Sequence, residues 1–511
     1  MGNLWRPSPD SGIAAFIASR ASFFRAHATL SACVGAALIL SFGFGMSNYA
    51  ISIDEEIHLW KDYTLEWYLQ GRPTVTLIKL ALGDLMPMPF VSLATSLIFI
   101  LFSFLLWASL LNDATKDRRV QFHSLLIFGI FYSTVPVNSY FLTFSTFNIE
   151  VSFGLILTAL AASLAWRWSR AGGGWPAFLL CAAFSFMSAG IYQSLVVLCL
   201  AGLLSAFCAH RLSVDVNEEP AGRFIVSMVL AVAPIVLGTL ASLLVARMFL
   251  PSNGYAEAFV QWGRADFSTI REALGAYVIT TLSGRDFPGG WVVLASALSG
   301  ALAILLAVRR AFTTGDWLAP LMVLALFALP FLLSVAIGAP LPKRTQQTLP
   351  LVFGVMWVLL ALLLPPKSGI KPAFIVAALL LTSWNAQANT RLWVSKYLAF
   401  NFDRTLAHEI ASALHAAGWD GAPMPVLQVG RPVIPERRYW TRDETIGASF
   451  FQWADEGRGL VFMYVLGYQL MEPTTEQFAE AVRLAKTMPI WPLPGSVILR
   501  DGMGVVNFGT P

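Results

Sequence analysis

Three adjacent acids, Asp54, Glu55 and Glu56, directly follow the first long apolar run, which covers roughly Thr29 to Ile51. A carboxylate placed beside an acceptor hydroxyl can take its proton as the oxygen attacks an anomeric carbon. Neighbouring carboxylates also raise one another's pKa by like-charge repulsion. An acid at the end of an apolar run can equally just mark where the chain enters water, so both readings stand for this cluster. Lys343 and Arg344 form a second candidate pair, in a short turn between two apolar runs. A guanidinium meets a phosphate through two parallel hydrogen bonds. The pair therefore reads as a clamp for a lipid phosphate or as a solvated turn, and Arg72 has the same two readings. His58 has no second histidine at ligand spacing, so it reads as an interfacial histidine and not as a zinc ligand. The uncharged segment Pro136 to Phe144 includes Tyr140 and is closed by Asn148 and Glu150. Its rings pack a span end or flank a sugar or lipid.

The elements around the acids must hold them at a surface. Taken as one helix, Ile57, Trp60, Tyr63, Trp67 and Tyr68 recur every three to four residues and share a face, with His58, Lys61, Asp62 and Glu66 on the others. Such an aromatic stripe suits a helix lying among lipid headgroups. Gly71 and Pro73 end it. The carboxylates would then sit where a lipid-linked substrate presents its headgroup.

The chain has 511 residues, 56% hydrophobic and 13% charged, with a mean hydropathy of +0.64. Soluble domains carry about 25% charged residues, so the composition predicts a polytopic α-helical membrane protein. The net charge of +4 is small and spread over loops, which gives no case for nucleic acid as a partner. Cys33, Cys181, Cys199 and Cys208 all lie in apolar runs and read as small buried hydrophobes, not as disulfides or a metal site. The first apolar run is too long for a cleavable signal and is followed by acids, so it is expected to be an uncleaved span.

Residues 1–28 read as a cytoplasmic segment in which Ile13, Phe16, Ile17, Phe23 and Phe24 form a short interfacial helix. Residues 29–389 hold about eleven spans. The third, Ser124 to Val135, is short and extends into Pro136 to Phe144. Placing the N-terminus in the cytoplasm puts Arg6/Arg20/Arg25, Lys116/Arg118/Arg119, Arg167/Arg170, Arg211/Arg223, Arg309/Arg310 and Lys367/Lys371 on one side, the expected insertion bias. Lys343 and Arg344 are the exceptions. The acids, the polar segment Pro251 to Gly290 and the C-terminus then lie outside. The spans are nearly free of charge at mid-depth, where ion-coupled transporters place ionisable groups or broken helices.

The composition changes at Thr390. Phe402 to Ala417 reads as an amphipathic helix stopped by Gly418, Pro425 to Val429 as a strand, Thr475 to Met488 as a helix, and Ser496 to Phe508 as a hairpin turning at Asp501 and Gly502. Residues 390–511 are expected to form a small periplasmic α/β domain, large enough for a small core.

The order of these features resembles the serotype-converting O-antigen glucosyltransferase family, within the GT-C superfamily of membrane glycosyltransferases. The matching pieces are Asp54 to Glu56 with Gln70 to Pro73, Pro136 to Glu150, Tyr192 to Ser194, Lys343 to Thr345, and the tail from Trp491 to Val497 with its final hairpin. Members often carry Asp-Asp in the first loop, where this chain has Asp-Glu-Glu. The resemblance implies a GT-C-like transmembrane domain with an outer-loop active site, in the bacterial inner membrane. It implies transfer of a sugar, glucose or one like it, from a polyprenyl-phosphate donor to a lipid-linked polysaccharide such as O-antigen. Asp54 and Glu55 are the candidate catalytic acids. Arg344, Lys343 and Arg72 are the candidate phosphate ligands. Glu56, Glu150, Asn148, Tyr140 and Gln193 are candidates for the acceptor or sugar. No cofactor is called for, and a divalent metal stays open because some GT-C enzymes use one. A polysaccharide polymerase or ligase and a lipid-linked sugar flippase are the alternatives. The position of the acids after the first span favours a sugar-phosphate-dependent transferase over the first, and the scarcity of polar groups in the spans speaks against the second.

Overall fold

A computed structural model describes residues 12–62, 64–82, 88–115, 120–170, 172–214, 219–249, 259–365, 370–434, 439–453 and 457–509. Arg6, Lys116, Arg118, Arg119 and Lys367, which entered the charge argument, lie outside the described residues, as do Tyr63 of the aromatic stripe and the first part of the Pro251 to Gly290 segment. The chain forms two compact units. One comprises Met1–Gly43, Thr64–Leu142 and Phe147–Asn389, the other Phe44–Tyr63, Thr143–Thr146 and Thr390–Pro511.

The first unit is helical. Among the described residues of the chain, nine helices are long and apolar enough to cross a membrane, from Ala28–Ser47 to Leu318–Ile337. Phe122–Leu142, Asn148–Arg170 and Ser194–Ser213 are the most enclosed of them, while Ala221–Met248 is largely uncovered. That last helix presents Val226, Val229, Leu240, Leu244 and Met248 outward. An apolar surface of this extent belongs in lipid, and the protein is a polytopic helical membrane protein. The expected tenth span is the helix Thr348–Leu363, only 16 residues long. The expected eleventh is the first part of a 47-residue helix, Ile370–Ala416, which Thr382, Ser383, Asn385 and Gln387 make more polar than a span. The polar segment after residue 258 also folds further than its composition predicts, into the helix Phe267–Leu282.

The third span is broken where the sequence turns polar. Phe122–Thr134 stops and Val137–Leu142 follows, because Pro136 has no N–H to continue the helix. The carbonyls freed by the break find side-chain donors. Asn138 donates to Tyr132 O at 2.9 Å and Ser133 O at 3.0 Å, and Asn389 to Thr134 O at 2.6 Å. Ser139 in turn donates to Asn389 at 2.8 Å. Unsatisfied backbone is costly away from water, which is why asparagines appear there.

Three arginines, Arg20, Arg170 and Arg211, gather at one end of this unit, each paired with an acid. Arg211 holds Asp316 at 2.8 and 2.9 Å. Arg170 and His210 both meet Glu219, and Arg20 meets Asp113. His210 also bonds Ala114 O at 2.8 Å. The ends of four long helices, near residues 114, 170, 213 and 314, are thereby drawn together.

The second unit is built on a four-stranded sheet. Strands β1 (Met424–Val429), β2 (Leu470–Met471), β3 (Val497–Arg500) and β4 (Met503–Asn507) lie in the order β2-β1-β4-β3. β1 runs parallel to β2 and β4, and β3 antiparallel to β4. The β3–β4 turn has Asp501 at φ 50 and Gly502 at φ 73, the positive angles that match a two-residue turn to the strand twist. Alternation along the strands feeds two cores. Leu427, Val429 and Val505 pack on the helix Thr475–Ala485, with Ala481 and Leu484. Val426 and Val506 pack with Leu406, Ile410 and Leu414 of Ile370–Ala416 and with Phe450 and Phe462. Ile51 and Ile53 join this second core, which anchors the segment carrying the acids.

Candidate active site

The acidic stretch does not form a single aromatic helix. It forms two short ones, Glu55–Trp60 and Thr64–Leu69, because the chain turns extended at Lys61 (φ −131, ψ 149). The single helix expected to carry the stripe is therefore not formed, and Ile57 and Trp60 lie on a different helix from Trp67 and Tyr68. Asp54 enters the first helix from the left-handed region, at φ 83, a conformation that Asp and Asn tolerate better than most residues. With Ile53 buried on one side and the helix beginning on the other, the three carboxylates have three different fates.

Glu55 is 1% exposed. One oxygen accepts from the Ser52 N–H at 2.6 Å and the other from the Ser145 N–H. Lys396 lies 3.7 Å from Glu55 and donates to Thr143 O at 2.9 Å, and Ser52 Oγ donates to the same carbonyl at 2.7 Å. Burial lowers the Lys396 pKa and Glu55 opposes that shift. Glu55 therefore ties residue 52 to the 143–146 segment. Glu56 is fully buried and accepts from Arg458 at 2.7 Å. Its Oε2 has no hydrogen-bond partner among the described residues. Burial pushes its carboxyl up to about 7, against the pull of the Arg458 charge. Asp54 meets the other Arg458 nitrogen at 2.9 Å with its side chain 40% exposed. Of the three acids, only this one reaches solvent to a large extent.

The first unit gathers most of the other candidates at one end. Arg72 is buried and faces three rings, with its guanidinium carbon 5.3 Å from the Trp67 centroid, 4.9 Å from Phe147 and 4.8 Å from Tyr192. Gln193 donates to Gly71 O at 3.1 Å. Ser194 donates to Gln347 at 2.7 Å, and Gln347 bonds back to Arg344 O. Lys343 lies 3.9 Å from Asp286 and 5.2 Å from the Tyr140 ring centroid. These contacts bring the segments 71–72, 192–194 and 343–347 together, with Tyr140 beside Lys343. Tyr140 is buried, at 1% exposed. Glu150 makes a buried ion pair with Lys79 at 3.0 Å. Asn148 donates to Leu142 O at 3.1 Å, and its side-chain oxygen is buried without a hydrogen-bond partner among the described residues. Asn148, Glu150 and Gln193 stand at the starts of helices whose other ends carry the paired arginines.

The sequence reading missed Arg458, Lys396 and Lys79. Lys79 carried a signal, as a lone charge inside the apolar helix Pro73–Leu82. Arg458 and Lys396 carried none, since their partners lie hundreds of residues away. No group of three or more His, Cys, Asp or Glu suited to a metal occurs among the described residues.

The fold thus defines a multi-pass helical membrane protein with buried ion pairs and one solvent-reaching carboxylate in an acidic cluster. A family model described as glucosyl transferase GtrII matches residues 43–364, and the chain belongs to that family. It is a glycosyltransferase of the kind that glucosylates O-antigen in serotype conversion. The chain matches none of the curated proteins or solved structures compared with it.

Proposed function

We propose that the protein transfers glucose from a polyprenyl-phosphate donor to lipid-linked O-antigen at the outer face of the bacterial inner membrane, with Asp54 as the general base. The observation that carries this reading is the fate of the three acids: Glu55 and Glu56 are buried in ion pairs, whereas Asp54 remains accessible to a hydroxyl. The acceptor oxygen bonds to the anomeric carbon, the bond from that carbon to the phosphate oxygen breaks, polyprenyl phosphate departs, and the acceptor proton passes to Asp54. Arg458 keeps the carboxylate aimed, and Glu55 holds the backbone from which it projects. Arg344 and Lys343 take the donor phosphate. Arg72, held against the Trp67, Phe147 and Tyr192 rings, adds positive charge in support of them.

The paired-arginine end of the first unit supports an orientation with that end in the cytoplasm, by the insertion bias. With the short helix Thr348–Leu363 and the first part of Ile370–Ala416 counted beside the nine longer helices, this reading puts the N-terminus inside and residues 390–511, as a domain, in the periplasm. Reporter fusions at Gly315 and Gly418 are expected on opposite sides; the same side for both overturns the topology. The donor is tested with purified protein and a delipidated acceptor. Polyprenyl-phosphate glucose is expected to support transfer and UDP-glucose is not, and the reverse outcome rejects the lipid donor. Arg344→Lys keeps the charge and loses the paired hydrogen bonds, so the donor KM is expected to rise.

A further inference from the structure

The second unit carries a cleft of about 290 Å³ lined by Trp60, Gln428, Leu460, Tyr464, Met471 and Phe478, among others. Two helices that hold the acidic cluster also build this cleft. Trp60 ends the helix that begins at Glu55, and Leu460 and Tyr464 lie on the helix that begins at Arg458. At about 1.5 Å per residue, the cleft opens one to two helical turns from the Arg458–Asp54 pair.

Its lining is of a particular kind. Tyr464 and Phe478 are 40% and 48% exposed, and Trp60 meets Tyr464 edge to face at 6.3 Å. The Gln428 amide is fixed by donating to Gly430 O at 2.9 Å and Phe451 O at 2.5 Å. At the rim, Lys61 lies over the Trp60 ring at 3.8 Å and pairs with Glu472 at 3.6 Å. The rim charges are thus matched, which disfavours a phosphate or a cation as the occupant. Accessible ring faces beside polar groups of no net charge suit a neutral, hydroxyl-rich ligand whose C–H faces lie on aromatic rings while its hydroxyls meet amide, ammonium and carboxylate groups.

We propose that this cleft binds saccharide units of the acceptor, a short stretch of polysaccharide whose reacting hydroxyl lies toward Asp54. The inference rests on the transferase reading for its name as an acceptor site. The cleft's affinity for sugar is tested apart from that reading.

The full chain is reconstituted in nanodiscs. Binding of a delipidated, size-fractionated O-antigen oligosaccharide, from a strain that the protein modifies, is read by saturation-transfer NMR. The wild type and Asp54→Asn are expected to bind alike. Phe478→Ala and Tyr464→Ala are each expected to weaken binding about tenfold, the worth of one stacking contact, and Phe478→Trp to restore it. In transfer assays the same alanine variants are expected to raise the acceptor KM and leave the donor KM in place. No binding by the wild type, or equal binding by the alanine variants, overturns the cleft assignment even if transfer proceeds. Binding that follows the ring substitutions in a protein that transfers nothing from the lipid donor supports the cleft and rejects the proposed reaction.

Discussion

Arg458 donates to the Glu56 carboxylate at 2.7 Å, and both side chains are largely removed from water. Removing one member of a buried pair strands the other charge, at a cost of about 3–5 kcal/mol. Arg458→Gln is therefore expected to lower the thermal midpoint of the purified protein markedly. Adding Glu56→Gln to that variant removes the stranded charge and is expected to recover much of the loss. A double variant as unstable as the single one would show that Arg458 acts chiefly through Asp54 or through packing.

Glu56 also predicts a pH dependence. Its folded pKa of about 7 lies above the ordinary 4.5, because burial disfavours the charged form more than Arg458 restores it. The folded state thus keeps the proton longer than the unfolded chain does. The stability this gives is complete below about 4.5 and is lost as the pH rises through about 7. The midpoint of the wild type minus that of Glu56→Gln is expected to fall between about pH 5 and about pH 8. A difference that stays flat means that Arg458 keeps Glu56 ionised throughout.

The membrane architecture and the acidic cluster were legible because both are local signals. Apolar runs of span length need no partner to be recognised, and three acids at the end of one stand out in a chain with so few charges. The aromatic stripe misled because helical spacing is a property of sequence alone, while the extended residue Lys61 cuts the helix in two. Nor does the sequence distinguish the three acids. Their roles separate through Arg458, Lys396 and the backbone of residues 143–145, all remote in the chain. The β3–β4 turn at Asp501 and Gly502 was legible for the opposite reason, since two residues determine its geometry.

Lys79 and Glu150 form a second buried pair, each under a tenth exposed. Lys79→Met alone is expected to destabilise the first unit, by the same stranded-charge argument. Replacing both, as Lys79→Met with Glu150→Leu, substitutes packing for the pair and is expected to restore the thermal midpoint, since such exchanges are often neutral or stabilising. If Glu150 also serves the acceptor, that stable double variant loses transfer through a raised acceptor KM. Near-normal kinetics in the double variant would assign the pair to packing alone.

Asp54 and Glu55 are neighbours that one assay separates. Asn tolerates the left-handed backbone that Asp54 occupies, so Asp54→Asn is expected to fold and insert normally while losing the basic oxygen. Loss of a general base costs about two to four orders of magnitude in rate, and that loss should appear in kcat with polyprenyl-phosphate glucose as donor. Glu55→Gln acts differently. It removes the charge facing Lys396 and weakens the tie to the Ser52 and Ser145 N–H groups, so its first expected effect is a lower thermal midpoint. Its turnover per folded molecule should fall far less than that of Asp54→Asn. The two measurements, midpoint and kcat, are made on the same preparations, so a folding defect cannot pass for a chemical one. Near-normal kcat in Asp54→Asn ends the assignment of the base to Asp54. A folded Glu55→Gln variant with the larger loss in kcat transfers the role to Glu55, despite its burial.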